Sequence, residues 1–489
     1  MSDTSTEKVS TEKVSTGRAA AAASVTSTAD SDFSRDSTQR SLSGSGSDYL
    51  ARLRGGELGA LPALAGLVVL LIIFSVLSNS FLTLNNVANL LSQGAGTALI
   101  AMGLVFVLLL GEIDLAAGTG SGVCAAVLAL HYTQGGNLLG AMGINVFVIF
   151  CLLMLVGAVL AAITRLWAGT IVSLVGLVIA VVGVPANAYL EILLAVCVGT
   201  AIGCITGFLV SRVGIPSFVV TLALFLAWGG VVLQLVGVGG TLGLSDSPAL
   251  FAVANRNLPV WGSWLLFALV AGGFALLSLQ RQRSRLRKGL VAAPTSLVLL
   301  KIVALTVLSA LATYAMTINR SPNPRLLTVT GVPYVVPVVI VVLVIGTFVL
   351  DRTTYGRHVY AVGGNAEAAR RAGIDVRKIR MSVFVVSSAI AALGAVVYSS
   401  KVGSVDPQAG GGNTLLFAVG AAVIGGTSLF GGRGRIRDAV VGAAVIAIIQ
   451  NGLGLLNQGA AIVSIVTGLV LLLAASVDAI SRRRAPAGR

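Results

Sequence analysis

The sequence has little charge and few residues of the kinds that perform catalysis. Only 10% of its 489 residues are Asp, Glu, Lys or Arg, whereas a typical soluble domain contains about 25%. There are two His and four Cys, and no Cys pair has the C-x-x-C spacing that favours a metal or redox site. No Gly-x-x-x-x-Gly-Lys motif for nucleotide phosphates is present. The composition therefore excludes a soluble enzyme, and we expect this chain to bind no metal or cofactor of its own.

Apolar residues dominate the rest of the chain. They make up 56% of it, the mean hydropathy is +0.95, and 59 glycines accompany few aromatic residues. Continuous apolar runs are typical of membrane-spanning helices, which need about 20 such residues, whereas barrel strands alternate. We predict an all-α polytopic membrane protein with about 12–14 transmembrane helices, of which segments 115–131 and 416–430 are candidates for re-entrant or broken helices. The fourteen apolar segments are 61–78, 91–110, 115–131, 144–164, 169–185, 190–211, 216–237, 260–279, 297–318, 334–350, 381–400, 416–430, 438–457 and 460–477.

The charged residues divide the chain into three regions. Residues 1–57 are rich in Ser, Thr and charge and cannot bury a core, so they are predicted to be a disordered cytoplasmic tail. Residues 58–481 form the predicted transmembrane domain, and residues 482–489 form a basic cytoplasmic tail. Under a fourteen-span count the strongly basic loops share one side with both termini, which the positive-inside rule assigns to the cytoplasm. These loops are 281–288, 351–380 and 433–437. These loops account for much of the net charge of +15, so the charge does not indicate a nucleic-acid partner.

The loop at 351–380 contains the pattern of one short helix. An N-cap residue opens it, an acidic residue suits the helix dipole, small helix formers and two arginines follow, and a glycine closes it. A helix this short is marginal on its own, so we expect it to be ordered by docking against a partner. The residues of this candidate docking helix are Asn365, Glu367, Ala368, Ala369, Arg370, Arg371 and Gly373.

Five polar residues within or between apolar runs are candidates for a transport pathway or a helix break. Glu112 and Asp114 separate two apolar segments, where they either line a route through the membrane or cap the helix that follows. Gln234, Gln450 and Asn451 lie inside predicted spans. They either face a polar substrate or form hydrogen bonds between helices, which is the commoner use of such residues.

A glycine-rich stretch must interrupt the helices near residue 425. Four of its glycines predict either a flexible inner turn or close backbone packing between spans, and we favour close packing. They are Gly425, Gly426, Gly431 and Gly432.

Five motifs together resemble one family of transport proteins. Glu367-Ala368-Ala369-x-x-x-Gly373 is similar to the EAA loop of ABC-importer permeases, and its surroundings resemble the permeases of ribose/xylose-type sugar importers. The resemblance covers most of residues 81–480 in the same order. The other four motifs are GEIDLAAG at 111–118, PSFVVTLA at 216–223, GGTSLFGGRGR at 425–435 and NGL at 451–453.

The resemblance implies the permease subunit of an ATP-driven importer in the plasma membrane of a prokaryote. It implies a permease homodimer, a sugar-binding protein outside, and a separate ABC ATPase subunit, with tandem nucleotide-binding domains, that carries ATP and Mg. The candidate docking helix would then be the ATPase-coupling helix. The basic linker at 281–288 and the span after it favour the xylose branch. The alternative is a secondary transporter of a small polar solute that needs no partner.

Two segments depart from the family pattern. Leu415-Leu416-Phe417 stands where family members often carry a Glu-Leu-Asp run, so no role of those acids transfers to this chain. Residues 132–187 resemble an insertion that adds about two spans.

Overall fold

The described residues form an almost wholly helical structure. The computed structural model describes residues 61–289, 294–321, 323, 325 and 327–484, so the predicted tail at 1–57 and residues 485–489 of the basic tail lie outside it. The helices are α1 (Leu61–Leu77), α2 (Leu84–Leu108), α3 (Ala116–Thr133), α4 (Leu138–Ile163), α5 (Trp167–Val182), α6 (Ala188–Phe208), α7 (Ser217–Val236), α8 (Pro248–Asn255), α9 (Val260–Arg287), α10 (Thr295–Thr317), α11 (Val335–Arg352), α12 (Thr354–Gly364), α13 (Ala366–Arg371), α14 (Val376–Val402), α15 (Asn413–Gly425), α16 (Ile436–Leu455) and α17 (Ala460–Arg484).

Two of the helices depart from regular α-helical geometry, and one short pair of strands is present among the described residues. A π-turn at Leu209–Val213 prolongs α6, and α4 is interrupted by a non-helical backbone at Gly143. Two strands of two residues each, β1 (Leu242–Gly243) and β2 (Ser404–Val405), pair antiparallel and join the segments that follow α7 and α14.

The prediction of an all-α polytopic membrane protein is confirmed. Each of the fourteen apolar segments corresponds to one helix, and nine helices among the described residues are long and apolar enough to cross a bilayer. α15 has 13 residues, or about 20 Å at 1.5 Å per residue, against a hydrocarbon core of about 30 Å. It is therefore too short to span alone, as expected for a broken helix. The other apolar segments that miss the criteria lie in α1, α3, α5 and α17.

Small residues bring the central helices into close contact. α14 packs against both α2 and α6, and α16 packs against α15 and α2. A Cβ atom on Gly103 of α2 would lie 2.7 Å from the Ser387 carbonyl oxygen of α14, and one on Gly203 of α6 would lie 2.7 Å from the Phe384 oxygen. Without side chains at these points the helix backbones approach closely, which is how helices associate in lipid.

Residues 132–187, which are predicted to add about two spans, contain the helices α4 and α5. α4 and α5 pack against each other and against α6. α4 has 26 residues and α5 has 16, so only α4 reaches the length of a bilayer crossing by itself. That this region is an insertion stays a prediction.

Contacts between residues divide the chain into two units. Among the described residues, one unit contains Phe267–Leu311, which covers most of α9 and α10, and the other contains residues 61–266 and 312–484. Within the first unit, the Gln282 side-chain amide donates a hydrogen bond to the Thr295 hydroxyl at 2.9 Å. This bond sets the end of α9 and the start of α10 side by side as a helical hairpin.

Candidate coupling site

The predicted docking helix is present and capped as its sequence predicts. α13 follows Asn365, whose side-chain oxygen accepts a hydrogen bond from the Ala368 N–H at 2.9 Å. Beyond the helix, Gly373 adopts a φ of 84°, a conformation that ends helices and favours glycine. Because α13 has only six residues, its caps and contacts must order it.

One side of α13 is anchored in this chain and the other side is exposed. Ala369 is buried in the core that also includes residues of α2, α14 and α16, so it faces its own chain and not a partner. Ala368 and Glu367 are exposed. The Glu367 carboxylate pairs with Arg370 at 2.6 Å and with Arg371 at 3.2 Å, and these hydrogen bonds lower the pKa of Glu367.

Three turns meet backbone to backbone beside α12. The Gly432 N–H donates a hydrogen bond to the Leu109 carbonyl oxygen at 2.8 Å. A Cβ atom on Gly363 would lie 1.9 Å from the same oxygen, and one on Gly431 would lie 2.8 Å from the Gly111 nitrogen. We call these five residues the glycine junction. It joins the turn after α2, the end of α12 and the glycine-rich turn after α15.

The remaining glycines of the 425–435 stretch are also tightly packed. A Cβ atom on Gly425 would lie 1.8 Å from the Asp438 carbonyl oxygen, and Gly426 has a φ of 115° that side chains rarely adopt. The Tyr360 hydroxyl donates to the Gly434 carbonyl oxygen at 2.8 Å, and burial raises the pKa of Tyr360 to about 12. The geometry therefore favours close backbone packing over a flexible turn.

Glu112 joins the same region through an ion pair. Its Oε1 lies 2.8 Å from Nε of Arg380 in α14, and its side chain is largely buried. The carboxylate thus has a cationic partner and is not an isolated acid in lipid. The interpretation that both acids cap α3 is wrong for Glu112.

Asp114 is the acid that caps α3. One carboxylate oxygen accepts a hydrogen bond from the Ala117 N–H at 3.1 Å, and the other accepts one from the Ser387 hydroxyl at 3.4 Å. The side chain is buried. These contacts support the interpretation that Asp114 caps the helix and does not line a route through the membrane. They also tie the start of α3 to α14.

We expect the two substitutions of Asp114 to differ in effect. Asp114→Ala removes the acceptor of the Ala117 N–H and should lower the free energy of unfolding by about 1 kcal/mol, as other lost caps do. Asp114→Asn keeps an acceptor and should retain both stability and transport activity in proteoliposomes. Lost uptake in a stable Asp114→Asn variant would show instead that the negative charge takes part in transport.

The PSFVVTLA motif forms two hydrogen bonds with the middle of the turn at 109–115. The Ser217 hydroxyl accepts a hydrogen bond from the Ile113 N–H at 3.3 Å, and the Thr221 hydroxyl donates to the Ile113 carbonyl oxygen at 3.1 Å. Ser217 and Thr221 belong to the PSFVVTLA motif. Three motifs distant in sequence, GEIDLAAG, PSFVVTLA and GGTSLFGGRGR, therefore meet around the turn at 109–115.

Asn451 lies far from this region. Its side-chain amide exchanges hydrogen bonds of 2.8 and 3.0 Å with that of Asn86 and donates to Gln93 at 3.4 Å. Asn86 is near the start of α2, whereas Glu112 follows its end, so most of this 25-residue helix separates the two. Asn451 thus forms the interhelical hydrogen bonds that were the alternative to a substrate contact.

The two glutamines do not join the acids either. Gln450 is partly buried in α16. Gln234 is exposed in α7 and borders an otherwise apolar cavity of about 200 Å³ between α3, α4, α6 and α7. The five pathway candidates are therefore dispersed and form no common polar site.

The sequence did not predict one buried pair. Nδ1 of His131 in α3 lies 2.7 Å from Oε1 of Glu191 in α6, and both side chains are fully buried. His131 Nε2 and Glu191 Oε2 have no hydrogen-bond partner. Glu191 was recognisable as a charge in an apolar segment, but nothing in the chain indicates which residue lies opposite it.

Comparison with known proteins decides the family. Residues 168–475 match the family model described as "Branched-chain amino acid transport system / permease component", over more than half of the chain. The chain belongs to this permease family. No solved structure matches it.

The permease is similar to sugar permeases along nearly its whole length. It is 30% identical over 437 residues to the xylose transport system permease protein XylH of Escherichia coli K12, covering 88% of this chain and 94% of that protein. It is 29% identical over 434 residues to XylH of Haemophilus influenzae, covering 88% and 99%. It is 27% identical over 417 residues to the ribose import permease protein RbsC of E. coli K12, covering 85% and 92%. The predicted membership among ribose/xylose-type ABC permeases is confirmed, and these relatives are transport components rather than enzymes.

Proposed function

We propose that this permease moves a monosaccharide, with xylose the first candidate, into the cytoplasm of a prokaryote. A separate ABC ATPase, with tandem nucleotide-binding domains, would supply the energy from ATP and Mg. A sugar-binding protein would deliver the sugar from outside, and two copies of the permease would enclose the route. The basic loops and both termini would face the cytoplasm, in accordance with the positive-inside rule.

The observation that carries this proposal is the link between α13 and the glycine junction. The exposed side of α13 is the surface that an ATPase would contact. Its buried side and the adjoining α12 lead directly into the backbone contacts with the turns after α2 and α15. Closely packed backbones move together. A displacement of α13 by the ATPase would therefore pass to α2, α3, α15 and α16, which is the kind of ligand-driven shift that opens a gate.

The substrate assignment rests on the relatives. The identity to the xylose permease of E. coli K12 is 30%, and the identity to its ribose permease is 27%. A pentose is common to both names, and xylose is favoured by the higher identity and by the basic linker of α9.

The deciding experiment is ATPase activity in proteoliposomes. The permease would be reconstituted with its candidate ATPase, and the binding protein would be added with xylose, with ribose or without sugar. Stimulation that requires both the binding protein and one sugar supports the importer and names its substrate. Gradient-driven uptake by the permease alone, without any ATPase association, would establish the secondary transporter instead.

A bulky residue on the exposed side of α13 should uncouple the complex. Ala368→Trp is expected to lower sugar-dependent ATPase stimulation and uptake by about tenfold or more, within the usual range of coupling free energies. Stability should change little because the Ala368 side chain is exposed. Ala460→Trp, at an exposed position of α17, serves as the matched control. Equal coupling in the two variants would contradict the docking role of α13.

A further inference from the structure

The α9–α10 hairpin carries charge of one sign only. Residues 267–311 contain six basic residues and no Asp or Glu. Five of them fall within one short stretch at the end of α9, and the sixth lies inside α10. They are Arg281, Arg283, Arg285, Arg287, Lys288 and Lys301.

The length of α9 places the basic stretch among lipid headgroups. α9 has 28 residues, or about 42 Å at 1.5 Å per residue, whereas the hydrocarbon core is about 30 Å thick. The excess of about 12 Å corresponds to roughly the last eight residues, 280–287. At the other end of α9, Trp261 is exposed in the position of an interfacial aromatic residue. The basic end therefore lies at the level of the lipid phosphates.

The charges surround the helix instead of forming one face. Arg283, Arg285, Arg287 and Lys288 are all exposed. At 3.6 residues per turn, Arg283 and Arg287 lie on one side of α9, and Arg285 lies on the opposite side. A folded protein partner would contact one side only. Headgroups surround a helix, so the arrangement favours lipid.

Lys301 extends the positive surface to α10. It is the seventh residue of this helix, and the bond between Gln282 and Thr295 sets the start of α10 beside the end of α9. The Lys301 side chain is exposed, and no residue in the spanning window of α10 is buried. An ammonium group at this depth is costly in hydrocarbon unless it extends towards the headgroup layer. The positive-inside rule concerns loops and gives no reason for this residue.

We infer that the basic end of α9, together with Lys301, is a binding site for anionic phospholipid. The arginine and lysine side chains bind the phosphodiester and the net negative charge of the headgroup, and zwitterionic lipid of the same chain length binds more weakly. Clusters of basic residues next to a membrane helix act on anionic lipid in this way. The inference is independent of which sugar the permease carries.

Lipid binding by the purified permease tests this inference. Short-chain phosphatidylglycerol and phosphatidylcholine would be titrated in a neutral detergent, and binding would be followed by the shift of the thermal unfolding midpoint. We expect the variant R283Q/R285Q/R287Q/K288Q to bind phosphatidylglycerol at least about a hundredfold more weakly, given the known contribution of each basic residue. The charge-conserving variant R283K/R285K/R287K should keep most of the affinity. K301Q, which alters one exposed side chain, should weaken binding measurably without affecting folding.

Several results would overturn the inference. One is equal affinity of the wild type for the two lipids, and another is unchanged phosphatidylglycerol affinity in both K301Q and the fourfold variant. In a separate titration, inorganic phosphate at millimolar concentration replaces the lipid. If it reproduces the lipid-induced shift, the site binds a free anion. If the fourfold variant keeps its lipid affinity but no longer associates with the ATPase, the basic end is a protein-docking surface.

Discussion

Replacing Gly363 by Ala is expected to disrupt the glycine junction and stop transport. The new Cβ atom would lie 1.9 Å from the Leu109 carbonyl oxygen and 3.1 Å from the Gly432 nitrogen. Both neighbours are backbone atoms, and together they form the hydrogen bond between Gly432 and Leu109, so α12 would have to move away from both turns. Overpacking of this kind costs about 1–3 kcal/mol of unfolding free energy. Uptake and sugar-dependent ATPase stimulation should both be lost, because α13 would no longer be held in register with the turns.

The adjacent glycine provides a matched control. A Cβ atom on Gly364 would meet nothing within 4 Å, so Gly364→Ala should leave the junction intact. It should also stabilise α12 slightly, because alanine loses less conformational freedom than glycine on folding. Thermal unfolding and uptake would be measured for both variants in parallel. If Gly363→Ala behaves like Gly364→Ala, the close approach at the junction has no part in stability or coupling.

Breaking the buried pair of His131 and Glu191 should cause the largest loss of stability. Glu191→Leu leaves the His131 ring without its partner, and His131→Leu leaves a buried carboxyl group without one. Removal of one member of a buried ion pair typically costs about 3–5 kcal/mol, whereas replacement of both by apolar residues is often neutral. The double variant should therefore be more stable than either single variant.

A double-mutant cycle measures this coupling directly. Unfolding free energies of the wild type, both single variants and the double variant give the interaction energy of the pair. Additive losses in the double variant would mean that the two side chains stabilise α3 and α6 separately. Glu191→Gln, which can still hydrogen-bond the imidazole, should lose less stability than Glu191→Leu.

The residues of α13 differ in how far the sequence could predict their contacts. The cap and the terminating glycine of α13 depend on neighbours within a few residues, so the sequence predicts them and the structure contains them. The burial of Ala369 does not follow from the same local pattern. That side chain packs against segments far away in the chain. It is therefore not part of the surface that could contact a partner.

The sequence by itself determined the helical class, the approximate positions of the fourteen apolar segments, the capping of α13 and, through its motifs, the family. These features depend on composition, on periodicity and on residues close together in the chain. The tertiary structure alone decided which distant groups meet: Glu112 with Arg380, His131 with Glu191, and Asn86 with Asn451. Each of these pairs joins residues at least 60 positions apart, and only the packing of the helices brings such residues within a hydrogen-bond distance of each other.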